Sequence, residues 1–203
     1  MLAKIVEPLI EWYEENHRIL PWRASKNPYY IWISEIMLQQ TRVEAVRPFF
    51  ERFIKVLPKV EDVAVCPEEQ LLKLWEGLGY YNRVRNIQKA AVRIVEEYGG
   101  RLPADYEKLK ELPGIGNYTA GAVASIAYDL PVPAVDGNVL RVYARIMEDD
   151  SDILKQSVKT KVENEFLKVM PGSRSGTFNQ ALMELGAMVC VPNGAPKCDV
   201  CPV

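Results

Sequence analysis

The sequence predicts an all-α fold, and two observations carry that prediction. Stretches with helical apolar spacing and recognisable stops fill most of the 203 residues, and no alternating apolar and polar run is long enough to make a convincing strand. The composition agrees: 48% hydrophobic and 26% charged residues describe a globular chain with apolar mass for one large domain or two small ones. It excludes disorder, collagen and coiled coil.

Taken in order, the first helix is expected over residues 2–16, in MLAKIVEPLIEWYEENH, which turns acidic too soon for a signal peptide. Helices follow at 29–40 and 43–57. A helix over 68–76 begins where Pro67 presets φ and Glu68 and Glu69 sit on the positive end of its dipole. The next, 82–98, stops at the left-handed Gly99-Gly100 before Pro103. Helices 105–112 and 117–128 flank the turn Leu112-Pro113-Gly114-Ile115-Gly116. Two prolines make Leu130 to Val135 an extended connector, the seam between two helical lobes. The helix 137–147 follows it, and the flexible loop MPGSRSG at 170–176 separates 158–169 from 177–190. No run approaches the ~18–20 apolar residues of a membrane span, so a cytoplasmic chain is expected.

The net charge of -2 argues against a nucleic-acid partner when read as a total. Local distribution matters more, and residues 78–101 hold five basic and two acidic side chains, a positive patch on a helix bearing Arg83, Arg85, Lys89 and Arg93. His17 is the only histidine, which excludes chemistry needing two. Of the four cysteines, Cys190, Cys198 and Cys201 crowd together, which in a reducing compartment points to metal rather than disulfides; Cys66, before Pro67 at a helix start, reads as a buried structural thiol.

Two carboxyls stand out. Glu35 is surrounded by Ile31, Trp32, Ile33, Ile36, Met37 and Leu38 on nearly every helical bearing. Desolvation there would raise its pKa, the condition for an acid that donates a proton near neutral pH. The alternative is an ion pair with Arg23 or Arg42. Asp136 in VPAVDGNVLRV stands as an N-cap accepting backbone N–H bonds, which stabilises the anion; a plain helix cap explains it equally. As a pair, one acid and one anion form the arrangement that breaks glycosidic bonds through an oxocarbenium-like transition state.

Two glycine turns are shaped for contact with a nucleic acid. In LPGIG, proline and two glycines allow a tight hairpin whose N–H groups, at the start of the next helix, hold a phosphate oxygen; the other reading is a simple helix–helix turn. In Gly77-Leu78-Gly79-Tyr80-Tyr81, a leucine and a tyrosine on a turn are shaped to wedge into a base stack, unless both tyrosines pack in the core.

The strings LPWR (20–23), SEIMLQQTRVEAV (34–46), LWEGLGYYNRVRNI (74–87), LPGIGNYTAGA (112–122), VDGNVLRV (135–142) and FNQALMELGAMVC (178–190) resemble, in order, those of the helix-hairpin-helix DNA glycosylases, and among them the MutY family of adenine glycosylases. The resemblance implies a two-lobed fold: a six-helix barrel with the helix-hairpin-helix over 22–132, and a second lobe from 1–21 plus 133–203 ending in a Cys-rich segment. It implies a monomer, associated with the nucleoid, that flips adenine out of A:8-oxoguanine or A:G mispairs in double-stranded DNA and hydrolyses its glycosidic bond. Glu35 would protonate adenine N7 and later help activate water. Asp136 would stabilise the oxocarbenium ion, with Asn138 and Tyr118 orienting it. Arg18, Trp22, Arg23, Leu38 and Gln180 would hold the flipped adenine. Gln40, Thr41, Leu78 and Tyr80 would contact the lesion side, and Gly114, Ile115 and Gly116 the DNA backbone. Where the endonuclease III group has a Schiff-base lysine, this chain has Tyr118, so a monofunctional enzyme is expected.

The family also implies a [4Fe-4S] cluster on four cysteines. Here Cys190, Cys198 and Cys201 match three ligands, one residue further apart at the first gap than is usual, and a fourth is absent before Val203. The expectations are a chain shortened at its C-terminus, a three-cysteine cluster, or none. A missing C-terminal 8-oxoguanine recognition domain implies a weaker preference for 8-oxoguanine:A over G:A, and Leu140, a lysine in some relatives, implies weak covalent trapping. The competing readings are a same-fold glycosylase for another base and a catalytically silent DNA-binding module.

Overall fold

The computed structural model describes residues 1–203, and every regular element in it is helical. The α-helices are α1 (Val6–Asn16), α2 (Pro28–Leu38), α3 (Val43–Val56), α4 (Val60–Val65), α5 (Glu68–Trp75), α6 (Asn82–Tyr98), α7 (Tyr106–Lys110), α8 (Asn117–Tyr128), α9 (Gly137–Ile146), α10 (Gln156–Leu167) and α11 (Ser175–Met188). Short 3-10 turns occupy Leu2–Ile5, Pro21–Arg23 and Cys198–Val200. The predicted all-α class and helix-hairpin-helix order hold. Helix α4 is the element that periodicity missed: six residues are too few to show a period, and Asp62 fixes its start by accepting the Lys59 N–H at 2.9 Å. No helix is long and apolar enough to cross a membrane.

The chain divides into two compact units, residues 19–123 and residues 1–18 with 124–203. In the first, α2 packs on α3, α3 on α5, and both α4 and α5 on α6. Its core includes Trp32, Phe53 and Trp75, all without solvent exposure, with the Phe53 and Trp75 rings edge to face at 6.1 Å. Helix α2 starts on a cap: Asn27 accepts the Tyr29 N–H at 2.9 Å, and Pro28 fills the first helical position. From Ile31 to Met37 every residue of α2 is buried, so this helix has no polar face. The helix α6 ends as expected, on Gly99 with φ 60°.

In the second unit, α11 packs on α1 and α9, and α10 on α9. Leu9, Ile10, Val139, Val142, Phe166, Phe178 and Leu182 form its core. The connector Leu130–Val135 is non-helical, and the buried Asn179 staples it by accepting the Ala134 N–H at 3.0 Å and donating to the Val132 carbonyl at 2.9 Å. The loop 170–176 reads as flexible but ends locked. Asp129 accepts the Arg174 and Gly176 N–H groups, and Ser175 and Gly176 are buried. That lock is a long-range contact, which loop composition does not encode.

Candidate active site

Glu35 lies in the last turns of α2 with 6% of its surface exposed. The phenol of Tyr118, in the first turn of α8, donates to its Oε2 at 2.5 Å. The hairpin that delivers Tyr118 is built as its sequence requires. The Ile115 N–H closes the turn on the Leu112 carbonyl at 3.1 Å. Gly114 has φ 78°, and a Cβ there would meet the Asn86 Cβ at 2.8 Å, so both conformation and packing demand glycine. Ile115 is buried at 4% exposure, while Gly114 and Gly116 are exposed and nothing stands within 4 Å of a Cβ at Gly116. The outer side of the hairpin is therefore bare backbone at a helix start, the form that accepts a phosphate.

Asp136 is the N-cap of α9, as predicted: Oδ1 accepts the Val139 N–H at 2.8 Å and Oδ2 accepts from Asn138 Nδ2 at 2.7 Å. The expectation of a stabilised anion is corrected, however. Burial is the largest influence and raises the carboxyl above its ordinary range, against the opposing pull of those hydrogen bonds and of Arg141. Sequence reasoning missed Arg141, one turn along α9. It donates through Nη2 to Asn138 Oδ1 at 2.9 Å and the Gly186 carbonyl at 2.7 Å, and through Nε to the Cys190 carbonyl at 2.8 Å. Arg141 thereby fixes which end of the Asn138 amide faces Asp136. Asn138 itself is seated against Gly186, where a Cβ would come within 2.6 Å of its own.

The residues expected to hold adenine are placed as follows. Arg18 forks onto Glu184, with Nε to Oε1 and Nη2 to Oε2 both at 2.8 Å, and Glu184 is wholly buried. Glu184 is a second missed residue, although it is an acid inside the apolar run FNQALMELGAM, the signal that exposed Glu35. Gln180, half-buried, accepts from the Tyr13 hydroxyl at 3.2 Å. Trp22 is buried with its ring edge to face on Phe50 at 5.4 Å, Arg23 is half-buried in the same 3-10 turn, and Leu38 is half-buried at the end of α2.

Of the expected lesion-side residues, Gln40 and Tyr80 hold left-handed backbone at φ 58° and 48°, unusual without glycine. Thr41 caps its turn by donating Oγ1–H to the Gln39 carbonyl at 3.3 Å. Leu78 is buried at 6% exposure, whereas Tyr80 is 64% exposed and Tyr81 39% exposed, so the tyrosines do not pack in the core. The positive patch is smaller than its count. Arg83 turns inward onto backbone carbonyls, Arg85 pairs with Glu68, and Arg93 pairs with Glu97 and Glu111. Lys89 and Arg101 remain exposed.

The sequence pattern described as HhH-GPD superfamily base excision DNA repair protein matches residues 33–171. The chain belongs to the HhH-GPD superfamily of base excision DNA repair proteins. Its relatives include the adenine DNA glycosylases of Mus musculus, 44% identical over 96% of this chain, and of Buchnera aphidicola subsp. Baizongia pistaciae, 38% identical over 97%. The chain spans 39% of the length of the first and 56% of the second. Among solved structures it resembles a thermostable thymine-DNA glycosylase, with TM-score 0.87 and 27% identity over 98% of this chain and 92% of that one. It also resembles endonuclease III in a trapped covalent DNA intermediate, with TM-score 0.81 and 26% identity over 99% and 91%.

In this HhH-GPD chain the expected cysteine cluster does not assemble. Cys198 is exposed, Cys190 Sγ accepts from Arg145 Nη1 at 3.3 Å, and the Cys201 thiol donates to the Val203 carbonyl at 3.3 Å. No group of three or more His, Cys, Asp and Glu side chains is arranged to hold a metal ion, so the thiols as placed do not fit a [4Fe-4S] cluster. Spacing brought the three thiols together in sequence; convergence in space is a separate requirement. Cys66, by contrast, is a buried thiol as expected.

Proposed function

We propose that this chain is a monofunctional DNA glycosylase that removes adenine mispaired with 8-oxoguanine or guanine from double-stranded DNA. Identity of 44% to the mouse adenine DNA glycosylase supports the choice of base. One observation carries the reaction type: the residue two places after Gly116 is Tyr118, engaged with the buried Glu35, where a strand-cutting lysine would need an amine. In this reading Glu35 protonates the departing adenine and then helps activate water, and Asp136, held by Asn138, stabilises the positive charge on the sugar. The bond from C1′ to the base breaks, water supplies the hydroxyl at C1′, and free adenine and an abasic site result. The bare hairpin at 114–116 takes a backbone phosphate, and residues 40–41 and 78–80 meet the base opposite the adenine.

The test incubates the protein with 8-oxoguanine:A, G:A and G:T duplexes, then applies alkali. The expected result is cleavage at adenine only after alkali, lost in Glu35→Gln. Release of thymine from G:T without adenine release would replace this reading with that of the thymine-DNA glycosylase neighbour, and tight binding without any release would make the chain a binding module.

A further inference from the structure

We propose that Arg83 is a positioning residue that locks segments 39–41 and 78–80 into one register and so determines which base opposite the adenine is accepted. The inference rests on the reading above, in which those segments meet that base. From α6, Arg83 Nη1 donates to the carbonyls of Ile36 at 2.8 Å, Met37 at 3.1 Å and Gln39 at 2.7 Å. Its Nη2 donates to the carbonyls of Leu78 at 2.9 Å and Gly79 at 3.3 Å. The guanidinium also lies over the rings of Trp75 and Tyr80, at 5.4 and 5.5 Å. One side chain thus satisfies orphan carbonyls at the C-terminal end of the Glu35 helix and ties them to the glycine turn.

The geometry suits this role and not phosphate binding, because the donors point at protein backbone. Each of the two segments contains a non-glycine residue in left-handed backbone, Gln40 at φ 58° and Tyr80 at φ 48°. Such conformations persist where the surroundings over-determine them, and Arg83 supplies a common determinant to both. A lysine retains the charge but offers a point-like ammonium with three donors in place of a planar fork, so it cannot span five carbonyls and stack.

The test uses the full chain with Arg83→Lys and Arg83→Ala. In Arg83→Ala, hydrogen exchange at the Thr41 and Leu78 amides is expected to rise together at least tenfold, and millimolar methylguanidinium to restore protection at both. In Arg83→Lys, the single-turnover rate of adenine release opposite 8-oxoguanine relative to that opposite cytosine, at saturating protein, is expected to fall at least tenfold while the thermal midpoint holds. Independent exchange in the two segments, an unchanged ratio, or an equal loss opposite every base would overturn the proposal. If the unaltered chain releases no adenine at all, the functional reading fails and so does the base-selecting part of this one, while paired exchange and its rescue still decide the tie.

Discussion

Arg18→Ala is expected to destabilise the terminal unit far more than Glu184→Gln. The Glu184 carboxylate has no solvent exposure and accepts the Arg18 backbone N–H at 2.9 Å besides the two guanidinium bonds at 2.8 Å. The Arg18 side chain is 31% exposed. Removing the arginine side chain takes both guanidinium bonds and the opposite charge away from a buried carboxylate, which costs about 3–5 kcal/mol. Removing the glutamate charge leaves an arginine that can turn to water beside a glutamine that still accepts, a loss of about 1–2 kcal/mol. For a chain of this size the first loss lowers the thermal midpoint by roughly 6–20 °C. Urea unfolding at neutral pH, with the double variant closing the cycle, measures both terms. If Arg18→Ala costs below about 1 kcal/mol, or no more than Glu184→Gln, the fork is not what holds α1 to α11 and the argument from burial is wrong.

Three further perturbations test the site. Tyr118→Phe removes the hydrogen bond to Glu35 and is expected to slow single-turnover adenine release about tenfold, and an unchanged rate would separate the phenol from the chemistry. Gly186→Ala puts a methyl within 2.6 Å of the Asn138 Cβ; it should cost about 1–3 kcal/mol in urea unfolding and reduce activity at temperatures where the protein stays folded. For pH, burial raises the Asp136 carboxyl above its ordinary 3.8, so its contribution to stability is full below that value and is lost as pH rises through the folded value. Urea unfolding should therefore show the parent losing stability relative to Asp136→Ser as the pH rises above about 4, and the opposite trend would mean the Val139 and Asn138 hydrogen bonds outweigh burial.

What was legible in the sequence is what local chemistry dictates. Asp136 reads as a cap because an extended proline connector precedes it and a helical pattern follows, and it is one. Glu35 reads as a buried acid because apolar residues flank it on nearly every bearing, and it is buried. The failures are tertiary. The pattern around Asp136 contains its hydrogen bonds but not the burial that outweighs them. Arg83 counts as surface charge until five backbone carbonyls from two other segments converge on it. Glu184 carries the same local signal as Glu35, an acid within an apolar helix, but the partner that explains it, Arg18, lies 166 residues away along the chain.

The two carboxyls are held by different means. Glu35 is fixed by a helix with no polar face: rotating α2 by any amount would expose apolar side chains, so hydrophobic burial sets the bearing of the acid and the Tyr118 phenol meets its tip. Asp136 sits at a helix end, where burial cannot set direction, and direction comes instead from a hydrogen-bond chain. Asn138 holds the carboxylate, Arg141 holds Asn138, and the Gly186 and Cys190 carbonyls hold Arg141. That chain ends on backbone in α11 and just beyond it rather than on a mobile side chain, so the precision of the carboxyl is inherited from helix packing between α9 and α11. A substitution that shifts α11 without touching Asp136 should therefore disturb the bearing of its carboxyl.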